Sequence, residues 1–114
     1  MAQQSDIRLQ IELDDQRMPE RITWEAADSG SDGPQEAKAF LLSLWDPKAN
    51  ETLRIDLWNK DMQLEEMNVF MFQTLLHLSD TYLRANKDED VANDIRDFAL
   101  RFGEKVQVIR RKEA

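Results

Sequence analysis

Two stretches near the start of the chain alternate apolar and polar residues, a pattern typical of strands with one buried face. The apolar positions of the first stretch are Ile7, Leu9, Ile11 and Leu13. The second stretch begins at Pro19, and its apolar positions are Ile22, Trp24 and Ala26. Antiparallel pairing of Leu13 with Ile22 puts both apolar sets on one face. We therefore predict a β-hairpin with Ile11 opposite Trp24 and Leu9 opposite Ala26.

A second hairpin is predicted around the turn sequence DPKAN, residues 46–50. With Asp46 placed opposite Glu51, one face carries three apolar cross-strand pairs: Leu44 with Leu53, Leu42 with Ile55, and Phe40 with Leu57. We expect these six residues to be core. The opposite face is mixed and carries Leu41, Ser43, Trp45, Thr52, Arg54, Asp56 and Trp58.

The spacing of apolar residues becomes helical after the second hairpin. Asp61 is the predicted N-cap, because its carboxylate can accept a backbone N–H, and Glu65 and Glu66 suit the helix dipole. This helix has two apolar stripes: Leu64, Met67, Met71, Leu75, Leu78 and Tyr82 in one, and Val69, Phe72, Leu76 and Leu83 in the other. We expect both stripes to be buried between two packing partners.

A second helix is predicted after a capping box formed by Asn86 and Glu89. Its single apolar stripe consists of Val91, Ile95, Phe98, Phe102 and Val106. The predicted fold is α+β, with a four-stranded antiparallel sheet of two hairpins followed by two helices packed on one face (β-β-β-β-α-α). We expect a single domain over residues 1–114, with a surface loop at 28–34 and a polar tail at 110–114.

The charge of the chain narrows the classes of partner. Its 23 acidic and 15 basic residues give a net charge of −8, which disfavours nucleic acid and anionic membrane surfaces. There is no cysteine, which excludes disulfides and thiolate zinc sites. Residues 1–6 lack the apolar segment of a secretory signal, and no apolar run reaches the roughly 20 residues needed to span a bilayer. We expect a soluble cytoplasmic protein without membrane insertion.

Candidate chemistry is sparse. His77 is the only histidine, and it falls on the polar side of the first predicted helix without a nucleophile or an orienting group in reach. The acidic run at 88–90 fails the EF-hand pattern, which needs a glycine at the sixth position and a glutamate at the twelfth. We therefore predict no catalytic residue, no cofactor and no metal site. A hydrolase that uses paired carboxylates remains a third alternative, and a cleft with desolvated acids would favour it.

The mixed face of the second hairpin is the strongest candidate for a contact surface. Leu41, Trp45 and Trp58 share it, and exposed aromatic patches often mark protein contacts. Scattered surface apolar residues are an equally open interpretation. Together with the extra stripe of the first helix, these residues predict that the protein is a homo-oligomer.

The stretch TLRIDLWNKDMQLEEMNVFMFQTLLHLSDTY, with PERITWEAADSG upstream, resembles the GldC family of gliding-motility accessory proteins from about Ser5 to Phe102. The resemblance implies a non-enzymatic accessory protein with protein partners in the motility or envelope machinery, and it brings no catalytic residues with it. The predicted element order is also similar to that of the export chaperone SecB. A chaperone that holds client chains is therefore the alternative function, although fold does not imply function.

Overall fold

A computed structural model describes residues 3–27 and 33–109. Most of the loop predicted at 28–34 and the whole of the tail predicted at 110–114 lie outside these residues. The chain divides into two compact units, residues 1–62 and residues 63–114. The first unit contains the strands and the second contains the helices, which agrees with the predicted α+β class.

The strands form two antiparallel sheets rather than the single four-stranded sheet predicted from the sequence. The first sheet has the order β1-β2-β3, and the second consists of β4 and β5. Their bounds are Ile7–Leu13 for β1, Pro19–Ala26 for β2, Gln35–Ala37 for β3, Ala39–Asp46 for β4 and Glu51–Trp58 for β5.

The short strand β3 is the reason why the sheet prediction was wrong. β3 pairs with β2, and the chain then leaves the first sheet at Lys38 to begin β4. The carbonyl oxygen of Lys38 accepts the N–H of Asn59 at 2.8 Å, so Lys38 continues the pairing of the second hairpin instead. One stretch of chain therefore serves two sheets in succession.

The register of the first hairpin differs from the prediction by two residues. Ile11, Leu9 and Ile7 of β1 lie opposite Ile22, Trp24 and Ala26 of β2, and an irregularity between Glu12 and Leu13 pairs Leu13 with Pro19. The turn causes the shift, because Asp14 Oδ1 accepts the N–H groups of Gln16 and Met18 at 2.9 and 3.0 Å. A shift of two keeps every side chain on its predicted face.

Ile22 is the centre of the three-stranded sheet. It lies on the middle strand β2 between Ile11 of β1 and Ala37 of β3, and its side chain is fully buried. No other large side chain in the described part of the chain is buried to this extent.

The second hairpin has the predicted register in every pair, from Asp46 opposite Glu51 to Ala39 opposite Trp58. Its turn is held by Asp46, whose Oδ1 accepts the N–H of Lys48 at 2.9 Å and whose carbonyl oxygen accepts the N–H of Asn50 at 2.9 Å. Asn50 has a φ of 53°, a left-handed conformation that asparagine tolerates better than most residues. Turn chemistry therefore fixes the pairing of the strands.

The helices are α1, Leu64–Asn86, and α2, Glu89–Lys105, and both predicted caps were wrong. The N-cap of α1 is Gln63 rather than Asp61, and its N–H donates to Glu66 Oε1 at 3.0 Å in a capping box. The N-cap of α2 is Asp88 rather than Asn86, and its Oδ1 accepts the N–H of Val91 at 3.2 Å.

The buried residues of α2 are small ones outside its predicted apolar stripe, whereas Ile95 and Phe102 of the stripe are half-buried. The buried positions of α2 are Ala92, Ala99 and Gly103, whereas Phe98 is about half exposed. On α1 the buried residues are Phe72 and Ser79, and Ser79 Oγ donates to the carbonyl oxygen of Ala92 at 2.8 Å. Small side chains let two helix backbones approach closely, so they occupy the seam and the aromatic residue is displaced from it.

The first helix does not bury both of its apolar stripes, contrary to the prediction. Leu64, Met71 and Leu78 of one stripe are exposed, and so are Val69 and Leu83 of the other. Only Phe72, which belongs to the second stripe, is buried.

An ion pair between Lys60 Nζ and Asp14 Oδ2 joins the first turn to the segment after β5. The hydrogen bond to Lys60 lowers the pKa of Asp14 below its ordinary value of 3.8, with help from the backbone N–H of Met18. The same hydrogen bond and the charge of Asp14 raise the pKa of Lys60 above 10.5.

The Asp14→Asn variant is expected to be less stable than the parent protein, by an amount that depends on pH. The folded pKa of Asp14 is depressed, so its stabilisation is present above pH 3.8 and is lost as the pH falls through the lowered folded pKa. Because the pKa of Lys60 is raised, the stabilisation from the ion pair is fully present below pH 10.5. This stabilisation is lost as the pH rises through the folded pKa of Lys60. Urea denaturation at neutral pH and near pH 2 measures the change, with the exposed Asp15→Asn as the matched control. A difference between parent and Asp14→Asn that is the same at both pH values would contradict the expectation.

Candidate interaction surface

The second hairpin presents the predicted contact residues on one face, which we name the tryptophan face. Its members are Ala39, Leu41, Ser43 and Trp45 of β4 and Thr52, Arg54, Asp56 and Trp58 of β5. The exposed fractions of the three predicted residues are 41% for Leu41, 63% for Trp45 and 57% for Trp58. All three are therefore accessible to a partner.

The three predicted residues form two groups on this face. Leu41 lies opposite Asp56 and is a diagonal neighbour of Trp58, a separation of roughly 7–8 Å. Trp45 lies opposite Thr52 at the turn end, about 20 Å along the hairpin from Trp58 at ~3.4 Å per residue. The tryptophan face thus offers an aromatic anchor at each end.

A charged pair occupies the space between the two anchors. Arg54 Nε lies 3.2 Å from Asp56 Oδ2, and the arginine is largely exposed. These are the only ionisable side chains of the tryptophan face, and their charges are opposite, so the face is neutral in a chain whose net charge is −8. Exposed pairs of this kind add little stability, but they allow a partner to approach without strong repulsion.

The opposite face of the hairpin, which we name the aliphatic face, carries Phe40, Leu42, Leu44, Leu53, Ile55 and Leu57. The prediction that these six residues form core was wrong for the turn end, because Leu44, Leu53 and Ile55 are each about half exposed. Phe40, Leu42 and Leu57, at the other end, are partly buried. Alternation alone could not reveal this difference, since it identifies a face and not what covers it.

Large apolar side chains are thus exposed on both faces of a two-stranded sheet. An isolated hairpin is marginally stable in water, and independent stability takes a third strand or a packing partner. The exposed tryptophan, leucine and isoleucine side chains of this hairpin form apolar surface, and exposed apolar surface often marks a site of protein–protein contact.

The other candidates from the sequence are surface features. His77 is exposed on α1, and in the acidic run at 88–90 Asp88 serves as the N-cap of α2. Within residues 3–27 and 33–109 no cluster of three histidine, cysteine or acidic side chains could hold a metal ion. Neither described helix combines the length and apolar character needed to cross a membrane.

A polar cleft lies beside the corner where β3 meets β4. It has a volume of about 440 Å³ and is lined by Glu20, Arg21, Ile22, Glu36, Ala37, Lys38, Asn59 and Asp61. Its polar groups are engaged with one another, since Arg21 Nε pairs with Glu36 Oε1 at 3.1 Å and Lys38 Nζ donates to the carbonyl oxygen of Asp61 at 3.4 Å. This cleft could not be predicted from the sequence, because β3 has no apolar alternation.

Comparison with known proteins identifies the family of this chain. No curated protein and no solved structure matches the chain. The sequence profile of the family described as gliding motility-associated protein GldC-like matches residues 19–108. The match covers β2, the whole second hairpin and both helices. The chain therefore belongs to the GldC-like family of gliding motility-associated proteins.

Proposed function

We propose that this protein is a non-enzymatic accessory of the gliding machinery that acts through protein–protein contacts, and that its tryptophan face binds the partner. Family membership supports the link to gliding motility. The observation that carries the contact mechanism is the exposure of Trp45 and Trp58 on one face of the second hairpin. Tryptophan is enriched among residues that dominate binding energy at interfaces.

The proposal includes a cytoplasmic location and a partner among proteins of the motility or envelope machinery. The absence of cysteine suits a reducing compartment. The neutral tryptophan face suits a protein partner better than a phosphate backbone, because it offers no concentration of positive charge. The sequence also lacks cysteine nucleophiles, and its one histidine is exposed, which favours binding over catalysis.

Replacing Trp58 or Trp45 with glutamate is expected to reduce partner capture at least tenfold while the fold is retained. Each change puts a charge where the parent buries an indole on binding, and an unpaired buried charge is strongly unfavourable. Tagged parent and variant proteins, incubated with lysate of a gliding bacterium, measure capture by quantitative mass spectrometry, and thermal melts measure folding.

Gln10→Glu is the matched control, because it adds the same charge at an exposed position of β1. A partner retained equally by parent, Trp45→Glu and Trp58→Glu would show that the tryptophan face is inert. Capture of many unrelated proteins, increased by denaturing the lysate, would favour the chaperone alternative, which is supported by the apolar residues exposed on both faces of the hairpin.

A further inference from the structure

Strand β4 has one open edge. In the described part of the chain β4 pairs with β5 alone, along all eight of its residues. In an antiparallel sheet every second residue directs its N–H and C=O groups to each side. The edge of β4 away from β5 therefore presents a row of backbone donors and acceptors that no strand of the described chain takes up.

This edge lacks the features by which proteins prevent edge strands from pairing. Residues 39–45 of β4, AFLLSLW, contain no charged residue and no proline, and the eight pairs with β5 run without a bulge. Charges, prolines and bulges are the usual protection of an edge. The other long edges have such protection: β5 carries Glu51, Arg54 and Asp56, and β1 carries Arg8 and Glu12 with an irregularity at its end.

Residues 39–45 are the part of β4 where a second copy of this acidic chain can approach. Two copies that each carry −8 repel one another over most of their surfaces. Residues 39–45 are an uncharged stretch with apolar side chains on both faces, so two copies can meet there with the least repulsion. A strongly charged partner would find no side chain of opposite charge on residues 39–45.

The strand is also compatible with two-fold pairing on itself. An axis perpendicular to the sheet places β4 antiparallel to its symmetry mate, and even-numbered residues then lie opposite even-numbered residues. With the axis at Ser43, Leu42 of each copy lies opposite Leu44 of the other. The aliphatic faces join into one surface, and so do the tryptophan faces.

We propose that β4 pairs antiparallel with β4 of a second copy to form a four-stranded sheet of order β5-β4-β4-β5. This pairing deepens the proposed function. It rests on that function in one respect only, namely that the protein acts through protein–protein contacts. The pairing gives each hairpin the additional strands that an isolated one needs. It also brings two tryptophan faces side by side, so that one partner meets a paired surface.

Single cysteines test the pairing directly, because the chain has none of its own. Three variants test three neighbouring residues as the position of the two-fold axis: Leu41→Cys, Leu42→Cys and Ser43→Cys. A residue near the axis lies beside its symmetry mate within the 7 Å that a disulfide can bridge. After mild oxidation, at least one of the three variants is expected to form a reducible dimer on a denaturing gel.

Arg54→Cys is the matched control. It lies on the same face as Ser43 and directly opposite it in the hairpin, but its symmetry mate is three strands away, about 14 Å at ~4.8 Å per strand. The best β4 variant is expected to cross-link at least tenfold more than Arg54→Cys. Equal or greater cross-linking of Arg54→Cys would overturn the proposal in favour of pairing at β5.

Hydrogen exchange of the parent protein gives a measurement that needs no substitution. Alternate amides of β4 are expected to exchange at least tenfold more slowly at high protein concentration than after dilution. Exchange of β4 that does not depend on concentration, in a protein that sediments as one chain, overturns the proposal. Cross-linking that fails while Trp58→Glu still abolishes partner capture refutes β4 pairing alone, and the reverse pattern refutes only the proposed function.

Discussion

Ile22→Ala is expected to lower the free energy of unfolding of the strand-containing unit by about 2–5 kcal/mol, the usual range for truncating a buried isoleucine to alanine. Ile22 is fully buried on the central strand between Ile11 and Ala37. Both neighbours are held to β2 by ladder hydrogen bonds, so their backbones do not move in to fill the cavity.

Tryptophan fluorescence during urea denaturation measures this loss selectively, because Trp24, Trp45 and Trp58 all lie within residues 1–62. The control is Ile7→Ala, the same truncation at a residue that is 78% exposed on β1. It is expected to change the stability by less than about 0.5 kcal/mol. Equal effects of the two truncations would mean that Ile22 is not the centre of this sheet.

Gly103→Val is expected to destabilise the helical unit by about 1–3 kcal/mol, the range for overpacking a close contact. A Cβ atom at Gly103 would lie 2.7 Å from Cε1 of Phe72 and 3.1 Å from Cγ1 of Ile109. Phe72 is buried, so its ring has no free space to move into. Both neighbours would have to shift, and the two helices would separate.

Thermal melts followed by circular dichroism at 222 nm measure the effect of Gly103→Val. Asn93→Val, at an exposed position of α2, controls for the presence of a β-branched side chain in this helix without a clash. Truncating the clashing ring tests the cause: Phe72→Leu should be less harmful in the Gly103→Val background than in the parent, a positive coupling. Additive effects would show that the clash is not the source of the instability.

Local chemistry explains which parts of the fold were predictable. The Asp46–Asn50 turn specified the register of β4 and β5 because its length and residues leave few ways to close a hairpin. The first turn was longer in the prediction than in the structure, since the side-chain acceptor of Asp14 shortens it and moves the register by two. β3 was missed because three residues are too few to show a period.

The most buried residues of the second helix were missed for a related reason. A search for large apolar side chains selects Phe98, whereas the close approach of α1 and α2 selects Ala92, Ala99 and Gly103. The face that each side chain occupies was predicted correctly, because Leu41, Trp45 and Trp58 share one exposed face. The exposure of Leu44, Leu53 and Ile55 depends on what packs against the hairpin, and the alternation of residues along a strand carries no information about that.

The Asp14–Lys60 ion pair also bears on the order in which the strand-containing unit assembles. It connects the turn after β1 to the segment after β5, so it encloses strands β2 to β5 and requires a long loop to close. The helical unit is joined by contacts between adjacent helices, such as Ser79 with Ala92. Proteins rich in local contacts fold faster than those built from distant ones. The helical hairpin should therefore form early, and the Asp14–Lys60 ion pair should form among the last contacts. Removing this ion pair should then accelerate unfolding more than it slows folding.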